Sequence, residues 1–208
     1  MRLPRSLIFA LAALILAGCN MAGSDAPLIA AAGASAPVLR EGVWIVADDR
    51  CGYRKSRPFG HWPACANWAQ IKAGQIQRYN PGAAVSWRIE PYLIAAAGEL
   101  AIGQVDAGPG AERRYSYFAM RVTKFNKRGE AESLAVWPVL CGPPVTGFRQ
   151  NAMVGRIMPT EQPFNGMTLD NAGEDCFARD AASLKAAAIE SEAMVTPVAV
   201  RWSRSFGA

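Results

Sequence analysis

Apolar and polar residues alternate along much of the chain between residues 42 and 141, which is the pattern of strands with one buried face. Such runs, bounded by glycine, proline and polar clusters, predict strands at residues 42–48, 85–95, 99–106, 114–125, 133–141 and 198–202, with a short one at 152–158. The polar, glycine-containing turn at residues 126–129 lies between two alternating runs and therefore predicts a hairpin.

One helix is predicted near the C-terminus. Asp180 suits the N-cap of residues 181–194, where Leu184, Ala188 and Ile189 share one stripe, and Pro197 follows the end of the helix. A second, short helix is predicted at residues 64–72. Together these elements predict an α+β fold, with an antiparallel β-sheet of about five to six strands and one C-terminal helix packed on it.

The N-terminus has the organisation of a secretion signal. Arg2 and Arg5 precede an apolar run at residues 7–16 that is too short to span a bilayer. The run ends in Leu16-Ala17-Gly18-Cys19, which resembles the lipobox of bacterial lipoproteins. This resemblance covers the export segment alone.

The lipobox implies that Cys19 becomes a lipid-modified N-terminus. A diacylglyceryl thioether, cleavage after Gly18 and palmitate or a similar acyl group on the amine would supply several chains, and more than one chain gives a lasting membrane anchor. Asn20, rather than Asp, follows the cysteine, which by the same resemblance favours the outer membrane. We therefore expect a lipid-anchored protein of the cell envelope that faces the periplasm.

The chain divides into three predicted parts. Residues 1–18 are the signal peptide, and residues 19–40 comprise the lipidated cysteine and a flexible tether rich in Ala, Gly, Ser and Pro. Residues 41–208 have the length and composition of a single globular envelope domain.

Four cysteines remain after Cys19. An even number in an exported chain predicts two disulfides among Cys51, Cys65, Cys141 and Cys176. Three pairings are possible, and two local, non-crossing loops, 51 with 65 and 141 with 176, are favoured. The alternative is a metal site using Cys51, His61 and Cys65. No metal is predicted, because the chain has no CxxC pair and one histidine.

The familiar catalytic motifs are missing from the sequence. There is no GxSxG elbow, SxxK pair, HExxH helix or phosphate-binding loop, so no enzyme activity and no cofactor are predicted. A Cys65–His61 nucleophile pair would need a reduced thiol in an oxidising compartment. A hydrolase that uses a carboxylate pair stays open as an alternative, with these candidates: Asp48, Asp49, Glu90, Glu99 and Asp106.

Basic and aromatic residues are interleaved between residues 50 and 89, where seven basic residues and no acidic one occur. Cations beside exposed aromatic rings suit an anionic or sugar-bearing ligand. We therefore predict a non-enzymatic binding or scaffolding domain whose partner is peptidoglycan, lipopolysaccharide or an envelope protein, and not nucleic acid. The predicted binding residues are Arg54, Lys55, Arg57, Trp62 and Trp68.

Two other interpretations remain open for this stretch and for the domain. The aromatic residues can instead belong to the core, with the cations forming an ordinary solvated surface. The domain can also be a small lipoprotein subunit of a larger envelope assembly, for which an exposed apolar patch would be the sign.

Overall fold

The computed structural model describes residues 20–33, 35–46, 51–58, 61–63, 65–79, 87–106, 114–144, 150–151, 160, 162–170 and 176–205. Within these residues, thirteen strands and one helix occur. The strands are β1 (Ala22–Ser24), β2 (Gly42–Val46), β3 (Asn67–Lys72), β4 (Gln75–Tyr79), β5 (Trp87–Ala97), β6 (Leu100–Asp106), β7 (Tyr115–Phe125), β8 (Ala131–Pro138), β9 (Gln150–Asn151), β10 (Met167–Leu169), β11 (Cys176–Ala178), β12 (Val195–Thr196) and β13 (Val198–Arg204), and the helix is α1 (Ala181–Met194).

Eight of these strands close into an antiparallel barrel. Around the barrel the order is β7, β6, β5, β4, β3, β2, β13 and β8, and β8 pairs with β7 to complete the ring. Strand β13 makes the closure, because it pairs with β2 on one side and with β8 on the other. Strands β1, β11 and β10 extend the sheet from the first residues of β7, and β9 and β12 form a separate parallel pair. The predicted α+β sheet of about five to six strands is therefore wrong, since the described chain is mostly β.

Several strands of the barrel are buried on both faces. Trp44 and Met120 belong to the cluster inside the barrel, whereas their sequence neighbours Val43 and Ala119 belong to clusters outside it. Six of the seven residues of β6 are buried. Apolar residues thus occupy both faces of such strands, and the two-residue alternation is lost.

The polar hairpin β3–β4 replaces the helix predicted at residues 64–72, which is wrong. Lys72 pairs with Gln75, and the two-residue turn between them has positive φ at Ala73 (48°) and Gly74 (73°). Strand β3 carries few buried side chains, and it is defined by hydrogen bonding to β2 and β4. The predicted strands at residues 42–48, 85–95, 99–106, 114–125, 133–141 and 198–202 correspond to β2, β5, β6, β7, β8 and β13. The strand predicted at 152–158 lies outside the described residues.

The C-terminal helix is confirmed, with its predicted N-cap. The Asp180 carboxylate accepts a hydrogen bond from Ser183 N at 2.7 Å, which is the main reason that its pKa falls from 3.8 to about 2. Helix α1 packs on the outer wall of the barrel, where Trp137 Nε1 donates to Ala188 O at 3.0 Å. Ile189, placed in the predicted apolar stripe, is 51% exposed.

The segment predicted to be a flexible tether is instead packed on the barrel. We call residues 20–33 and 35–40 the strap. Its strand β1 lies between β7 and β11, and the hydroxyls of Ser24 and Tyr117 are hydrogen bonded at 2.6 Å. Further along, buried Gln104 accepts from Ile29 N at 3.0 Å and donates to Ile29 O at 3.2 Å. The prediction of a tether is therefore wrong for the described part of this segment, because backbone pairing and side-chain contacts fix it.

The strap ends beside the hairpin that connects β7 and β8. Ala131 N donates to Val38 O at 2.8 Å, and Arg40 N donates to Ala131 O at 3.0 Å. The segment therefore runs from the region that follows the end of β8, where Asn20 contacts Cys141, to the start of β8.

Both predicted disulfides are confirmed with the favoured pairing. The Cα atoms of Cys51 and Cys65 are 5.8 Å apart, and those of Cys141 and Cys176 are 5.6 Å apart. The first bridge closes the loop between β2 and β3 on the outside of the barrel, and the second joins the residues after β8 to β11.

Candidate functional site

A depression of about 470 Å³ lies where β7, β8, β13 and the β2–β3 loop meet. The register of the sheet places Arg201 of β13 directly opposite Ser133 of β8, and Lys124 of β7 opposite the same serine. We call this site the basic depression, and its lining residues are Tyr53, Lys55, Lys124, Glu132, Ser133, Arg201 and Trp202.

The charges of the basic depression are unbalanced toward positive. The one carboxylate among its described lining residues, Glu132, is already paired with Lys124 at 2.7 Å and with Arg40 at 3.0 Å. The hydrogen bond from Lys124 is the main cause that lowers the pKa of Glu132. Across the described residues, Lys55 and Arg201 have no ion-pair partner. Among the described lining residues, three cations against one carboxylate leave a net charge of +2.

Arginine side chains fix the walls of the depression. Arg40 stacks on Trp202 with its guanidinium carbon 3.3 Å from the ring centroid, and Trp202 Nε1 donates to Glu41 O at 3.0 Å. Arg204 donates to Lys55 O at 3.0 Å, which holds the loop against β13. The Lys55 ammonium therefore projects from a backbone that is tied to the barrel.

The five predicted binding residues divide into two groups. Trp62 is 9% exposed, donates from Nε1 to Arg57 O at 3.0 Å and packs edge-on against Tyr53 and Trp68 at centroid distances of 5.3 and 6.3 Å. The Trp62 ring is part of the core beneath the disulfide loop, which leaves little of it accessible to a ligand. Trp68, half-buried, packs against the same cluster. Arg54, Lys55 and Arg57 are exposed, and of the three Lys55 lines the basic depression.

Three comparisons with known proteins find no match, neither with a protein-family model nor with a curated sequence nor with a solved structure. The candidate function therefore rests on this chain's own residues. No helix in the described part of the chain is long and apolar enough to cross a membrane.

Sequence reasoning missed the residues that β7, β8 and β13 contribute to the site. Lys124, Glu132, Arg201 and Trp202 are far from residues 50–89 in sequence and reach the loop through barrel closure. A usable signal was present for Lys124 and Arg201, since a cation on the predicted strands 114–125 and 198–202 has to face solvent on one side of a sheet.

The carboxylates proposed for a hydrolase are not brought together as a pair where the structure describes them. Glu90 shares the inward face of β5 with Ile94, whereas Asp106 shares the outward face of β6 with Gln104, which binds the strap. Asp106 is engaged by Arg114, and Glu99 lies at the opposite end of the β5–β6 hairpin beside Arg121. Asp48 and Asp49 lie outside the described residues.

A disulfide removes the free thiols that the alternative metal site and the alternative Cys65–His61 nucleophile pair would need. Cys51 and Cys65 are joined to each other, so neither supplies the thiolate that a zinc ligand or a nucleophile requires. His61 is exposed. In the part of the chain that the structure describes, no three His, Cys, Asp or Glu side chains are grouped to hold a metal ion.

Proposed function

We propose that this chain is a lipid-anchored envelope protein that binds an anionic envelope component through the basic depression. The anchor is the lipid expected on Cys19, which lies outside the described residues. The ligand class is a polymer or headgroup that carries carboxylates or phosphates, as peptidoglycan and lipopolysaccharide do. No catalytic step is part of the proposal.

One observation carries the ligand class: Lys55 and Arg201 line the same depression without ion-pair partners among the described residues, beside a carboxylate that two other cations already occupy. Unpaired cations in a concave site favour an anion, because the walls partly exclude the water that would screen them. The half-buried ring of Tyr53 adds apolar surface on which the face of a sugar can rest.

The test is co-sedimentation of the chain from Asn20 onward, without its lipid, with purified sacculi and separately with lipopolysaccharide vesicles. The soluble protein has to begin at Asn20, because removing residues 20–40 would remove the strap. We expect saturable binding to one of the two materials that weakens as salt is raised from low to high ionic strength.

Paired charge variants assign the binding to the site. Lys55→Ala/Arg201→Ala is expected to weaken binding roughly three- to thirtyfold, since two exposed ion pairs with the ligand are lost. Lys72→Ala/Lys185→Ala removes the same two charges from exposed positions on β3 and α1 and serves as the matched control. Equal weakening by both pairs would reduce the effect to net charge and reject the basic depression as the binding site.

A second candidate function, subunit of an envelope assembly, is favoured by a separate observation. Val38 and Phe125 are 64% and 54% exposed and line a common groove of about 400 Å³. Exposed apolar residues that share a groove are typical of protein contacts. Crosslinking in envelopes that compares wild type with Val38→Ser/Phe125→Ser would test this function, and an unchanged set of crosslinked products would reject the groove as a contact.

A further inference from the structure

We infer that the N-terminal lipid holds the barrel directly against the bilayer, with no intervening tether, so that the basic depression serves ligands close to the membrane surface. This inference rests on the proposed lipidation of Cys19. The residues immediately after the cysteine determine how close the anchored domain lies to the lipid surface.

Asn20, the residue next to the proposed lipid attachment, is built into the protein. It is 2% exposed, its side-chain amide donates to Gly142 O at 3.0 Å, and its side-chain oxygen accepts from Cys141 N at 3.0 Å. The disulfide to Cys176 fixes the position of Cys141 in turn. A trans peptide sets neighbouring Cα atoms about 3.8 Å apart, so the anchor point lies one residue from this fixed position.

The strap has no slack where it is described. After Asn20, Met21 forms an antiparallel bridge with Leu140, and Ala22 N donates to Val139 O at 2.7 Å. The contacts of Ser24 and Ile29 continue the attachment along the outer wall, as described above for the strap. A free tether of 21 residues would instead add about 25 Å of root-mean-square reach between the lipid and the barrel.

The position of the basic depression relative to the anchor follows from β8. Ser133, near the start of β8, lines the depression, and Cys141, three residues beyond the end of β8, contacts Asn20. Eight residues of extended chain span at most about 26 Å. The depression therefore lies within about 30 Å of the anchor point, and an anionic ligand has to approach the bilayer to this distance.

Neutron reflectometry of the lipidated full-length protein on a supported bilayer tests the inference. Wild-type protein is expected to give a protein layer that begins at the headgroups without a hydrated gap. A variant with ten Gly and Ser residues inserted between Cys19 and Asn20 is the matched comparison, and it is expected to show a diffuse gap of about 17 Å. Hydrogen exchange of residues 21–33 is measured on the same samples, and slow exchange is expected in both.

The outcomes separate the inference from the proposal beneath it. A lipidated wild-type protein whose layer is as far from the headgroups as that of the insertion variant would overturn the inference while leaving the anchor intact. Exchange of residues 21–33 at the rate of an unstructured chain would overturn it as well. Absence of lipid on Cys19 by mass spectrometry, together with failure of the protein to attach to the bilayer, would overturn the anchor itself.

Discussion

Replacing Gln104 by leucine tests whether the strap is a structural part of the barrel. Gln104 lies on β6, is 3% exposed, and uses both ends of its amide on a single residue of the strap, accepting from Ile29 N and donating to Ile29 O. Leucine has a similar volume but no polar atoms, so the substitution changes hydrogen bonding more than packing. Both backbone groups of Ile29 would then be buried without a partner.

The expected loss follows from those two groups. A buried backbone donor or acceptor that loses its partner costs about 1–3 kcal/mol. The strap can avoid this cost by detaching, so the loss cannot exceed the free energy of detachment. Detachment would expose Ile29, at about 1.5–3 kcal/mol, and break the contacts of Tyr117 with Ser24 and Leu28. We therefore expect the free energy of unfolding to fall by roughly 2–4 kcal/mol, which is a large part of the 5–15 kcal/mol typical of a domain.

Urea unfolding and hydrogen exchange provide the assay. Local release of the strap predicts that amide protection in residues 21–33 falls by about thirtyfold or more, while the strands on the far side of the barrel keep theirs. Gln70→Leu, on half-buried β3, is the control and should stay within about 0.5 kcal/mol of wild type. The reasoning would be refuted if the unfolding free energy of Gln104→Leu stays as close to wild type as that of the control and the amide protection of residues 21–33 is unchanged.

Three further outcomes are expected. Replacing Cys51 and Cys65 together by alanine opens a 14-residue loop and should lower the free energy of unfolding by about 3 kcal/mol. Because this loop carries Lys55, binding of the variant to sacculi or vesicles should weaken too, and unchanged binding would contradict the basic depression as the binding site. Glu132→Gln removes the one carboxylate among the described residues of the basic depression and should tighten anion binding about three- to tenfold, as titration calorimetry would show. The pKa of Asp180 falls from 3.8 to about 2 on folding, so its stabilising effect is complete above pH 3.8 and is lost as pH falls toward 2. Between pH 4 and pH 2 the melting temperature of Asp180→Asn should therefore fall by less than that of wild type. Parallel plots of melting temperature against pH for the two proteins would argue against the cap.

Local signals in the sequence were sufficient for several elements. The hairpin of β7 and β8 carries its own turn, in which Asn126 Oδ1 accepts from the backbone N–H groups of Arg128 and Glu130 and Gly129 adopts a φ of 77°. Helix α1 carries its own cap at Asp180. The cysteine pairs are close in sequence, and the favoured pairing was correct. The lipobox at Cys19, the envelope location and the ligand class stay predictions.

The elements that were predicted wrongly depend on distant partners. Residues 20–40 resemble a linker in composition, yet Gln104 and Tyr117 supply the hydrogen bonds that fix them. Strands β3 and β4 are polar, and their neighbours in the barrel define them. Trp62 looked like a ligand-binding ring beside cations, but the disulfide loop folds it onto Val43 and Ile45.

By itself, the sequence determined the order of the central hairpins and the C-terminal helix, and it favoured the cysteine pairing that the structure shows, because turn chemistry, capping and short loops act between residues that are near in the chain. Tertiary structure alone decided that the sheet closes, that the strap is packed and that Lys55 and Arg201 line one depression. Closure depends on β13 pairing with both β2 and β8, and the strap depends on its pairing with β7 and β11. Such pairings join residues more than 60 positions apart, and their energy comes from burial of both faces of the strands, which no local pattern records.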